Sequence, residues 1–126
     1  MSATSISSVS RASEAQRRAV RRAEAFLRAH IDESVPIARL CAAIGISERT
    51  LRKAFHRVHG MSPKRCAVRA RLAVVRRALC HPEATRSTVA AIATDYGFFE
   101  LGRFAGQYKA AFGETPSATL RGAAPV

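Results

Sequence analysis

The chain has 126 residues, about half of them apolar, and a formal net charge of +12, which suits one domain or two very small ones with a packed core. Its longest apolar stretches are a few residues, far short of a membrane span. The serine-rich start MSATSISSVSRAS has no apolar region of the secretory kind, so a cytoplasmic protein with no membrane role is expected.

Residues 1–12 offer almost nothing to bury and are expected to be a disordered tail. Ser13 is a good cap for a helix running to about His30, with Val20, Ala23, Leu27 and Ile31 on one face at three- and four-residue steps. Arg17, Arg18, Arg21 and Arg22 stay outside that stripe and read as a solvated face. The segment DESVP breaks the chain, because the residue before a proline is pushed away from helix.

In IARLCAAIGIS, residues 37–47, Ile37, Leu40, Cys41 and Ile44 make a short apolar face, and Gly45 ends the helix where a left-handed residue is easiest. Ser47 caps the next helix, expected from Glu48 to His59. There Leu51, Phe55 and Val58 lie on one side and Arg49, Arg52, Lys53 and His56 on the other. A long helix follows over about 62–80, with Ser62 as cap, Pro63 at its first position and Pro82 as its stop. Val68, Leu72, Val75 and Leu79 form its buried stripe, and Arg65, Arg69, Arg71, Arg76 and Arg77 are distributed around the remainder.

Then the earlier unit returns. STVAAIATDYGF matches VPIARLCAAIGI, with Val89 for Ile37, Ile92 for Leu40, Tyr96 for Ile44 and Gly97 for Gly45. Beyond the turn the second copy is one residue longer, and Phe104 matches Leu51 while Tyr108 matches Phe55. Phe55, Phe104, Tyr108 and Phe112 read as core, and a last short helix is expected at Ser117–Arg121. No segment alternates convincingly enough to be a strand, so the fold class is all-α.

Charge separates the copies. Residues 49–82 hold ten basic and no acidic side chains, whereas residues 1–48 have a net charge of +2 and residues 83–126 sum to zero. A surplus confined to one third of the chain is an electrostatic footprint for a polyanion, nucleic acid before an anionic membrane.

A short helix, a glycine turn and a second helix with an apolar inner face make a helix-turn-helix pattern. Two copies joined by one helix are far more specific than one. About 17 residues at roughly 1.5 Å each span some 26 Å, which with the width of the units approaches one duplex turn of about 34 Å. Both reading helices would then address one face of one double-stranded DNA molecule as a monomer. The expected organisation is a double helix-turn-helix domain over 13–126, with a first unit at about 36–60, a linker helix at about 62–80 and a second unit at about 87–113.

LCAAIGISERTLRKAF (40–55), GMSP (60–63), RARL (69–72) and AxxYGF…F…YKAAFGETP (93–116) together resemble the DNA-binding domain of the AraC/XylS family of bacterial transcription regulators. The resemblance covers roughly residues 20–121. It implies two helix-turn-helix units, a linker helix, and sequence-specific binding at promoters, more often for activation than repression, with RNA polymerase as the further partner that activation involves. Carried over by position, Arg49, Arg52 and Lys53 meet base edges, with His56 and Arg57 near phosphates. Arginine suits the first task because its fork meets guanine O6 and N7 together. In the second unit Gly102 and Gly106 stand where the family usually has polar or basic side chains, leaving Arg103 and Lys109 as candidates. Cys66 replaces the usual tyrosine on the linker helix.

Other classes find less support. No nucleophile with a base partner, phosphate-cradling glycine loop or paired carboxylates is present, so an enzyme is not expected. Cys41, Cys66 and Cys80 lack close pairing and read as reduced thiols in or near the core. His30, His56, His59 and His81 lack metal spacing, so neither metal nor cofactor is expected. The alternative function is an interaction module that titrates a partner or binds DNA without a sequence preference. The 20 to 35 residues before the matched region are too few for a separate effector core. That leaves a stand-alone regulator or the DNA-binding end of a longer protein.

Overall fold

The computed structural model describes residues 12–123, and within them every regular element is a helix. The tail expected over 1–12 lies outside the described residues except for Ala12, which is buried and whose carbonyl accepts from the Arg17 guanidinium. The described residues fold as two compact units, one formed by those up to His30 with Val35–Ala67, the other by Ile31–Ser34 with those from Val68.

The first unit contains α1 (Glu14–Ala29), α2 (Ile37–Ile44), α3 (Glu48–His59) and the start of α4 (Pro63–Cys80). Ser13 caps α1 reciprocally: its Oγ accepts from the Gln16 N–H at 3.0 Å and its own N–H donates to Gln16 Oε1 at 2.9 Å. Ala19, Val20, Ala23 and Leu27 turn inward, and α1 packs across both α3 and α2. Between α2 and α3, Gly45 takes φ 69° and its N–H returns to the Cys41 carbonyl at 2.9 Å. Ser47 then accepts from the Thr50 N–H and starts α3. Leu51, Ala54 and Phe55 close the core against α1, Leu40 and Ile44.

The second unit takes the rest of α4, a 3₁₀ turn at Pro82–Arg86, α5 (Val89–Asp95), α6 (Leu101–Phe112) and α7 (Pro116–Ala123). Leu72, Val75 and Leu79 enter a core with Ile92, Ala93, Phe98, Phe104 and Tyr108. Aromatic rings run through it in sequence: Phe98 to Phe104 at 4.9 Å, Phe104 to Tyr108 at 5.8 Å and Tyr108 to Phe112 at 4.7 Å between centroids. Such offset and edge contacts add to the apolar burial. The Tyr108 hydroxyl donates to Thr119 Oγ1 at 2.7 Å, and Thr119 in turn reaches the Glu114 carboxylate. α7 is thereby tied to α6, and burial pushes the Tyr108 phenol pKa up.

Arg71 corrects an expectation. It is not on the solvated remainder of α4 but only 6% exposed. Its Nε and Nη2 both donate to the Tyr96 carbonyl, at 3.1 and 2.9 Å, and its guanidinium lies 4.1 Å from the Phe98 ring centroid. The position explains why: Arg71 is three residues after Val68 and four before Val75, on the buried stripe itself. Desolvation lowers its pKa, and the fork satisfies a carbonyl at the turn of the second unit. Gly97, next to that carbonyl, has φ 85°, and a Cβ there would sit 2.9 Å from Arg71 Nη2 and 3.1 Å from the Asp32 carbonyl oxygen. Conformation and space both require glycine at this turn.

Two stability predictions follow from the packing. Leu51→Ala in α3 and Phe104→Ala in α6 each truncate a buried side chain, and each should cost about 2–5 kcal/mol by urea unfolding. Parent-like melting would mean that these side chains point outward. Arg71→Ala should cost about 2–4 kcal/mol, from the lost charged hydrogen bonds and ring contact. An ordinary surface cation at that position would leave melting unchanged.

Candidate nucleic-acid interface

With Leu51, Ala54 and Phe55 inward, three- and four-residue steps put Arg49, Arg52, Lys53 and His56 together on the opposite side of α3. Arg57 stands at the edge of that face, and all five side chains are exposed. The inner side locks the helix, and the outer side is almost entirely cationic. Glu48 is the one acid on α3, and its Oε1 accepts from Arg52 Nη2 at 2.8 Å. Both partners are largely exposed, so this i,i+4 pair is weak and open to exchange for another acceptor.

α6 has the same inner side and a different outer one. Phe104 and Tyr108 are buried where Leu51 and Phe55 are, which fixes the register between the units. In that register Gly102, Ala105 and Gly106 occupy the positions of Arg49, Arg52 and Lys53. Neither glycine is required by the backbone: both have ordinary helical φ, and a Cβ at either would meet nothing within 4 Å. Lys109 shares the face of Gly102 and Gly106, in the last turn, and Arg103 stands at its edge. Arg103 is 71% exposed and pairs with Glu100 at 3.6 Å. Thus five of the seven expected DNA-contacting residues converge on one face of α3, while Arg103 and Lys109 lie apart on α6.

The remaining polar clusters are local. Glu14 pairs with Arg17 at 3.3 Å, Arg21 at 3.0 Å and Arg18 at 4.0 Å, so the arginine run of α1 is partly neutralised in place. Hydrogen bonds from Arg21 and Arg17 hold the Glu14 carboxyl below the usual carboxylate range. His59 Nε2 meets Glu24 at 3.1 Å, His30 stacks on Phe26, and His81 Nδ1 accepts from the Glu83 N–H. Among the described residues no three His, Cys, Asp or Glu come together as a metal site, and no helix is long and apolar enough to cross a membrane. Cys41 and Cys66 are half-buried, and Cys80 is exposed rather than in the core.

Two features of the site were not anticipated from sequence. One is Arg71, whose place on the buried stripe was the available signal. The other is the start of α6, where Phe99 and Leu101 are exposed rather than packed. Phe98 and Phe99 are neighbours of one type, so composition does not say which goes inward.

Residues 40–122 match the Helix-turn-helix domain family. The chain is 38% identical over 96 residues to the XylDLEGF operon transcriptional activator of Pseudomonas putida, covering 76% of this chain and 30% of that protein. It is 35% identical over 102 residues to the probable thc operon regulatory protein of Rhodococcus erythropolis, covering 81% of this chain and 31% of that one. It therefore spans about 30% of the length of these curated relatives. Among solved structures, a probable AraC family transcriptional regulator from Rhodopseudomonas palustris superposes with a TM-score of 0.79 at 42% identity, over 86% of this chain and 99% of that one. Two repeated helix-turn-helix units on a shared long helix, with these relatives, place the chain in the AraC/XylS family of transcription regulators.

Proposed function

We propose that the chain binds a defined promoter sequence in double-stranded DNA as a monomer, placing α3 and α6 in successive major grooves, and activates transcription with RNA polymerase as its further partner in the cytoplasm. The observation that carries this reading is the outward face of α3. Arg49, Arg52, Lys53, His56 and Arg57 are exposed together, opposite a sealed core, in a segment with ten basic and no acidic residues. Reading helices offer such a face to base edges, and an arginine fork discriminates guanine. Two units on one chain remove the need for a second protomer. The activator role is carried by the XylDLEGF operon relative, which is named for it.

The units divide the work unequally. α3 supplies most of the base discrimination, with His56 and Arg57 at phosphates. α6, stripped of side chains at the corresponding positions, acts mainly through backbone contacts, Lys109 and DNA shape.

Affinity for a bound promoter fragment should fall by orders of magnitude between low and moderately high salt, because each neutralised phosphate releases counterions. A flat salt titration would remove the electrostatic basis of the reading. In a library of single-base-changed sites, Arg49→Ala and Arg52→Ala should each cost about 1–3 kcal/mol and relax preference at one base. Lys109→Ala should weaken all sites about equally. If Arg103→Ala relaxes a base preference more than the α3 variants do, the unequal division is wrong. Equal affinity of the parent for random DNA would leave only a non-specific binding module.

A further inference from the structure

Among the described residues the exposed large apolar side chains are Phe99, at 74%, and Leu101, at 40%, and both stand at the start of α6. Phe99 precedes the helix cap Glu100, and Leu101 is the first helical residue. In the register fixed by Phe104 and Leu51, Leu101 takes the place of Glu48 and Ala105 that of Arg52. Where α3 has an exposed ion pair at 2.8 Å along one edge of its outward face, α6 has an apolar edge. Phe99 is the additional residue of the second copy and stands, also exposed, just before the helix cap.

From this we infer that Phe99 and Leu101 are specificity-determining residues of the second unit, recognising the C5 methyl groups of thymine in its major groove. The inference rests on the reading of α6 as a DNA-facing helix. Reading helices present their first residues to base edges. The thymine methyl is the apolar feature of those edges and is met by apolar side chains. Two large apolar groups in water at that position gain from any surface that removes them from it. The bare middle of the face permits the approach: Gly102, Ala105 and Gly106 add little height, and the two glycines answer no demand of backbone or space. Lys109 on the same face and the exposed Arg103 at its edge supply positive charge for flanking phosphates. That charge complementarity selects duplex DNA over an apolar protein surface as the occupant.

The test begins with duplexes selected by the intact chain from a random-sequence library. Thymines under the second unit are then replaced one at a time by deoxyuridine, which removes the methyl group alone. At one or two positions the parent should bind deoxyuridine about 3–10-fold more weakly, as expected for one buried methyl. Phe99→Ala and Leu101→Ala should bind thymine and deoxyuridine alike while unfolding as the parent does. Gly102→Ala and Gly106→Ala should melt higher than the parent, since glycine weakens a helix, yet lose affinity for the selected duplex. The inference is overturned if the parent ignores the methyl groups, or if both apolar variants keep the parent's discrimination. Self-association abolished by Phe99→Ala, with that discrimination intact, would assign the face to a second copy of the chain and likewise overturn it. Failure of the parent to select any sequence would instead overturn the reading of the chain as a sequence-specific binder.

Discussion

A twelve-residue helix can present side chains to a groove in a defined orientation only if its other side is held. In α3 that holding falls to Leu51, Ala54 and Phe55, all buried against α1, Leu40 and Ile44. The helical period does the rest: once Leu51 and Phe55 are fixed inward, Arg49, Arg52, Lys53 and His56 have only the outward side left. The caps serve the same end, with Ser47 setting where the helix begins and Gly60 where it stops.

The second unit solves the same problem with different means. Its α6 is held by aromatic side chains, Phe104 and Tyr108, in a row of rings from Phe98 to Phe112. Its turn is fixed by a buried cation. Arg71 reaches the Tyr96 carbonyl with two nitrogens and covers the Phe98 ring, and Gly97 leaves it the room to do so. The two turns therefore differ in kind. Gly45 is needed for its left-handed φ alone, since a Cβ there meets nothing within 4 Å; Gly97 is needed for its φ and for its lack of a side chain.

Local signals made much of this legible in the sequence. Ser13, Ser47 and Ser62 each cap the helix that follows them, and the left-handed glycines close the helices they were expected to close, because caps depend on only a few neighbouring residues. The cationic face of α3 was legible for a related reason: its spacing is the complement of the Leu51–Phe55 spacing. Arg71 was not, because its charge and its helical position point opposite ways. The periodicity pointed inward, and only the fold could supply the carbonyl and ring that make a buried guanidinium tolerable. Pro82 signalled where α4 ends and said nothing of the 3₁₀ turn at Pro82–Arg86 that packs on α7. The outward aim of Phe99 depends on one inserted residue between turn and helix, and side-chain type carries no record of that.

Each hydrophobic cluster draws its members from one unit only. Free-energy changes in separate cores tend to add rather than interact. Either α3 or α6 can therefore lose or gain outward side chains without disturbing the core of the other unit. α6 lacks the cations that α3 carries and still buries Phe104 and Tyr108 as deeply as α3 buries Leu51 and Phe55. A chain built this way can be retuned one half at a time, with the outward face of one helix rewritten while the other stays unaltered.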